Sequence, residues 1–147
     1  MTDRPVPRPR TDFVWFSEIQ TRWSDNDQYG HVNNVVYYSY FDTAVNAFLI
    51  GEAGLEPVGG AWMGLVVDTR CSYFAPAGYP EPLEVGLRFA DAGRSSQRYE
   101  IGVFRKGGGE TLAHGHFVHV YVDATTRRPV PIPDSLVQAI RRATARP

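Results

Sequence analysis

Between Arg22 and Asn34 the chain reads Arg-Trp-Ser-Asp-Asn-Asp-Gln-Tyr-Gly-His-Val-Asn-Asn, which gathers the carboxylates of Asp25 and Asp27, the imidazole of His31 and the paired amides of Asn33 and Asn34. A carboxylate can attack an electrophilic carbon or take a proton from water. A helix start just downstream offers unpaired backbone amides and the positive end of its dipole to any negative charge that develops. The segment therefore sets an acid or base beside a potential oxyanion site. The same residues also suit a plain loop. Asp25 and Asp27 are turn formers, His31 can pack at a helix entrance, and Asn33 can cap a helix. Gly30 gives the backbone freedom for a tight turn or a close approach.

The elements that must position these groups are legible on both sides. Phe13 to Trp23 is aromatic-rich and ends in apolar-polar alternation, which predicts a strand. From about Asn33 to Ile50 the apolar residues Tyr38, Phe41, Val45, Phe48 and Leu49 fall at helical spacing, and Ser39, Asp42, Thr43 and Asn46 form one narrow polar stripe. A helix so apolar needs cover on most sides. Four strand-like runs supply it: Gly64 to Ala75, Leu83 to Ala90, Ser95 to Arg105 and Thr111 to Asp123. Lys106 to Glu110, with three glycines, predicts a hairpin loop. Asp134 to Arg142 predicts a closing helix capped by Asp134. One strand, a central helix, four strands and a small helix make an α+β fold with an antiparallel sheet.

Composition bounds the partners. A chain of 147 residues, 43% hydrophobic, fits a single domain over 1–147, with 1–11 as a flexible, Pro- and Arg-rich tail. The net charge of −1 argues against general nucleic-acid binding. Cys71 is the only cysteine, so neither an intrachain disulfide nor a cysteine-based zinc site can form. No run is long and apolar enough for a membrane span, and a cytoplasmic location without membrane partners is expected.

The string Asp25-x-Asp27-x-x-Gly30-His31-Val32-Asn33-Asn34-x-x-Tyr37-x-x-Tyr40-Phe41 resembles the hotdog-fold acyl-CoA thioesterases of the 4-hydroxybenzoyl-CoA thioesterase type. Tyr73-Phe74-Ala75-Pro76-Ala77, Leu83-Glu84-Val85 and Gly93-Arg94-Ser95-Ser96 extend the resemblance through the second half. It implies about five antiparallel strands wrapped around the long helix, and protomers that join their sheets as a homodimer or homotetramer with active sites at the interface. It also implies that an acyl-CoA is hydrolysed to a carboxylic acid and free CoA without a cofactor. In this comparison Asp27 matches the catalytic carboxylate, with His31 or Asn34 orienting water or the carbonyl. The amides of Val32, Asn33 and Asn34 form the oxyanion site, and Asp25 and Gly30 support the loop. Alternative readings on the same fold are an acyl-CoA hydratase or dehydratase, and an acyl-CoA or aromatic-ligand binding dimer without turnover.

CoA carries phosphates, which arginine forks suit. Among the arginines, Arg94, beside Ser95 and Ser96, stands out through the resemblance. His114, His116 and His119 do not form a metal site in this reading, because strand alternation points His119 away from the other two. Two departures limit the likeness. Pro80-Glu81-Pro82 stands where many relatives have Gly-Asp, and Val45 stands where many carry a mid-helix arginine.

Overall fold

The computed structural model describes residues 4–145. Five strands form one antiparallel sheet: β1 (Trp15–Gln20), β2 (Trp62–Tyr73), β3 (Pro82–Ala92), β4 (Ser96–Arg105) and β5 (Ala113–Asp123). Their spatial order is β1-β3-β4-β5-β2, which leaves β1 and β2 at the edges. The first helix, α1 (Val36–Gly51), lies against one face, and α2 (Asp134–Ala145) closes one end.

The apolar stripe of α1 explains its seat. Phe41, Ala44, Val45, Phe48 and Leu49 are fully buried, each large one contributing about 1.5–3 kcal/mol through burial. Phe41 meets the ring of Phe117 edge-on, and Phe48 packs on Trp15 and Phe89. Ser39, Asp42 and Thr43 face solvent, as the polar stripe requires. Val45, at the position of the missing arginine, is core.

Four expectations are corrected. The helix starts at Val36, three residues later than its periodicity suggested, because Asn33 builds a turn of its own: its side-chain oxygen accepts from the Val35 N–H at 3.0 Å and its carbonyl from the Val36 N–H at 2.9 Å. The first strand stops at Gln20, and Trp23 begins a short 3-10 turn, Trp23–Asp25. In α2 the Pro133 carbonyl accepts from Leu136 and Val137, so Asp134 sits inside the first turn and is not its cap. Finally, residues 1–11 do not read as a tail where they are described. The Val6 carbonyl accepts from His114 Nε2 (2.9 Å), the Arg8 N–H donates to Thr111 Oγ1 (2.9 Å), and the Arg10 N–H donates to the Gly109 carbonyl (2.8 Å). Arg10 also covers the Phe16 ring at 4.3 Å. The glycine loop at 106–110 is thus the dock for the N-terminal arm.

Candidate active site

After β1 the chain makes two consecutive tight structures. In the first, Asp25 is fully buried. One carboxylate oxygen accepts from the Arg22 N–H and the Tyr40 hydroxyl, both at 2.8 Å; the other accepts from Arg22 Nε at 3.0 Å and Nη2 at 2.8 Å. Burial alone would raise this carboxyl, but the Arg22 amide, the Tyr40 hydroxyl and the Arg22 guanidinium together hold it below its ordinary range. Burial, followed by the bond to Asp25, pushes the Tyr40 hydroxyl up. The Asp25 carbonyl accepts from the Asn33 N–H at 2.9 Å, so Asp25 braces the loop through both side chain and backbone.

The second structure is a miniature hairpin. Asn26 pairs with Val32, the Asp27 N–H donates to the His31 carbonyl at 2.8 Å, and the Gly30 N–H closes the turn onto the Asp27 carbonyl at 3.1 Å. Gly30 has φ of +79°, the left-handed conformation that a side chain resists. The hairpin sets Asp27 and His31 side by side on opposite legs. The Tyr29 N–H fixes Asp27 Oδ1 at 2.8 Å, while Oδ2 has no partner among the described residues.

These legs border an open cleft of about 370 Å³ lined by Asp27, His31, Val32, Asn34 and Tyr37 on one side and Tyr73 to Pro76 on the other. The two sides are tied together. The Val32 N–H donates to the Ala77 carbonyl at 2.8 Å, the Tyr79 N–H to Asn26 Oδ1 at 3.0 Å, and the Tyr73 hydroxyl to the Asn34 carbonyl at 2.8 Å. Tyr37 and Tyr73 meet edge-on at 5.2 Å, and burial pushes the Tyr37 hydroxyl up to about 12. Burial also raises the Cys71 thiol to about 11, so it stays protonated near neutral pH and is a poor nucleophile.

The oxyanion expectation needs revision. The Val32 N–H serves Ala77 and the Asn33 N–H serves Asp25, so both donors are occupied. Asn34 is exposed at the cleft, and its N–H has no acceptor among the described residues. The site thus combines an anchored carboxylate, an imidazole, one open amide and aromatic walls. Tyr73, Phe74, Ala75 and Pro76 drew attention in the sequence only as a familiar string; their place in the cleft depends on β2 ending beside the hairpin.

Arg94, Ser95 and Ser96 lie elsewhere. Ser96 pairs with Val120, which pairs with Leu65; Tyr73 is eight residues farther along β2, about 26 Å at the usual strand rise. Within one protomer this turn is not brought to the cleft. Its carbonyls instead hold Gly93, Tyr121 and Ile132. The histidines divide as alternation predicts. His114 and His116 lie on the outer sheet face, where His116 bonds Asp68 at 2.8 Å and Arg98 at 3.3 Å. His119 is buried on the helix side among Tyr99, Phe117 and Tyr121, with neither ring nitrogen partnered among the described residues, and burial pushes it down to about 4. Among the described residues no three His, Cys, Asp or Glu side chains are grouped to hold a metal ion, and no helix is long and apolar enough to cross a membrane.

Residues 21–140 match the family model described as the thioesterase-like superfamily. The chain is 48% identical to the PA5185 protein of Pseudomonas aeruginosa strain PAO1, whose crystal structure superposes with a TM-score of 0.91 over 94% of this chain and 96% of that one. It is 31% identical to a thioesterase of Thermus thermophilus crystallised with coenzyme A and zinc, with a TM-score of 0.74 over 92% of this chain and 98% of that one. The uncharacterized protein YsmA of Bacillus subtilis (strain 168) is 27% identical over 94 residues, which span 64% of this chain and 63% of that relative. The five-stranded antiparallel sheet with its central helix is the hotdog fold, shared with the Thermus thermophilus thioesterase.

Proposed function

The chain belongs to the thioesterase-like superfamily, and from that premise we propose that it hydrolyses an acyl-CoA thioester to a carboxylic acid and free CoA, with Asp27 as the reacting carboxylate. One observation carries this reading: among the described residues, Asp27 lines the cleft with one oxygen anchored by the Tyr29 N–H and the other without a partner, while the Asn34 N–H stands open at the same cleft.

In the general-base route Asp27 removes a proton from water, the hydroxide adds to the thioester carbonyl, and the tetrahedral oxyanion collapses with release of the thiolate, which regains a proton. In the nucleophilic route Asp27 Oδ2 attacks the carbonyl, the thiolate leaves, and water cleaves the acyl-aspartyl anhydride. The oxyanion is held by the Asn34 N–H at the positive end of α1, and His31 and the Asn34 side chain orient water or the carbonyl oxygen. Asp25 holds no cleft role of its own and fixes the loop, while Gly30 permits the turn.

We further propose that protomers pair along β2, in a homodimer or larger homo-oligomer. This edge strand is 12 residues long and exposes Val66 (42%) and Val67 (61%). An unpaired edge of that length and character favours addition of another strand. Antiparallel pairing there would bring the Arg94–Ser96 end of the partner toward the cleft, the arrangement under which Arg94, Ser95 and Ser96 contact CoA.

The test is hydrolysis of a panel of aliphatic and aromatic acyl-CoA substrates, monitored through release of free thiol. Turnover by the wild-type protein and its loss in Asp27→Asn support the reading; full activity in a folded Asp27→Asn protein refutes the assignment. Single turnover in heavy-oxygen water identifies an anhydride route in which water attacks the aspartyl carbon, because only that step leaves label in Asp27 and none in the acid product.

A further inference from the structure

The cleft does not end at Phe74. A second cavity of about 560 Å³ shares Tyr73 and Phe74 with it and continues around the end of β2 onto the outer sheet face, lined also by Arg4, Pro5, Pro7, Arg70 and Ser72. Its two cations make no ion pair within 4.0 Å among the described residues, although Arg70 also borders an adjoining cavity with Arg98 and Glu100. The neighbouring Arg8 and Arg98 pair with Asp12 and Glu100, whereas Arg4 and Arg70 have no carboxylate partner among the described residues. Both are exposed, and among the described residues the Ser72 hydroxyl donates no hydrogen bond. Two guanidinium groups and a hydroxyl thus border one concavity, chemistry that suits phosphate.

The wall that carries Arg4 is fixed by bonds through Val6 and Arg8 to β5 and the residues before it, and Pro5 and Pro7 restrict the backbone between them. Arg70 is three residues before Tyr73, about 10 Å of strand, so the basic cavity lies one short span from the aromatic wall of the cleft. The Arg94 turn, by contrast, is about 26 Å away along the sheet of the same protomer.

We infer that the phosphorylated nucleotide end of coenzyme A leaves the cleft past Phe74 and binds on the outer face between Arg4 and Arg70 of the same chain. This rests on the acyl-CoA reading above. It places phosphate recognition on the N-terminal arm and β2, and leaves to the Arg94–Ser96 turn only contacts with CoA outside the phosphates.

The experiment compares one acyl group carried on CoA and on pantetheine, which lacks the nucleotide phosphates. Arg70→Ala and the Arg4→Ala/Arg70→Ala pair should raise KM for the acyl-CoA by about tenfold and more than tenfold respectively, with kcat within about twofold. The pantetheine thioester should show no change in KM. An unchanged acyl-CoA KM in the double variant overturns the inference. So does an equal loss on both substrates, or the same phosphate-dependent loss in Arg94→Ala alone. If the wild-type protein hydrolyses neither thioester, the acyl-CoA reading fails separately. Calorimetry with adenosine 3′,5′-bisphosphate then decides the site: binding lost in the double variant supports it, and no binding by the wild type overturns it.

Discussion

Two aspartates two residues apart behave in opposite ways. Asp25 is fully buried, and both of its oxygens are taken by Arg22 and Tyr40. Asp27, on the hairpin that follows, is half-buried, has one oxygen anchored and borders the cleft with the other unpartnered. A carboxylate whose lone pairs are all engaged stabilises a fold, and one that keeps an oxygen open can react. Sequence proximity therefore says little about role; the count of satisfied acceptors says much more.

The contrast breaks if the two positions respond alike to substitution. Asp27→Asn keeps the Tyr29 contact but removes the charge, and is expected to lower kcat about a thousandfold while leaving urea-unfolding stability within about 0.5 kcal/mol. Asp25→Ala should do the reverse: about 3 kcal/mol of lost stability by urea titration, because Arg22 and Tyr40 lose a buried acceptor.

Acid titration sharpens the same contrast. Asp25 has a folded-state pKa below the unfolded 3.8, so its stabilisation is complete above that value and fades as pH falls through the folded pKa. His119 acts in a different window. Its pKa is depressed from 6.5 to about 4, so the unfolded chain binds the extra proton and stability falls as pH drops between those values. At about 1.4 kcal/mol per unit this fall is of the order of 3 kcal/mol. Unfolding measured against pH should show both declines in the wild type, with His119→Phe removing only the upper one and Asp25→Asn only the lower.

Smaller changes grade the comparison. Tyr40→Phe removes one bond to the buried Asp25 charge and should cost about 2 kcal/mol in thermal or urea unfolding, with kcat preserved. Gly30→Ala should cost about 1 kcal/mol through its φ of +79° alone, since nothing lies within 4 Å of the added carbon. A shift in kcat larger than the shift in stability would show that the turn aims Asp27.

Much of the fold was legible because its signals are periodic. The stripe Phe41, Val45, Phe48 and Leu49 gave the helix its buried face, and the five strand-like runs all became strands, shifted at most a few residues at their ends except where the first stopped early at Gln20. The polar junction was also visible as a dense local cluster. Its internal assignments were not. Val32 and Asn33 looked like free donors until Ala77, far along the chain, and the Asp25 carbonyl took them up. The N-terminal arm looked like a tail because its partners, Gly109, Thr111 and His114, lie about a hundred residues away. How far Arg94 lies from the cleft of its own protomer was not visible, because a motif carries no distance.

The amino-acid order alone determined the helix face, the strand alternation and the concentration of acid, imidazole and amides before α1, since each depends on residues a few positions apart. Tertiary structure decided, among the described residues, which carboxylate keeps an open oxygen, which amide remains unpaired and which arginines form ion pairs. Those outcomes are set by partners that only folding brings within hydrogen-bonding distance, and the desolvation that gives each pairing its weight exists only once the sheet has closed over the helix.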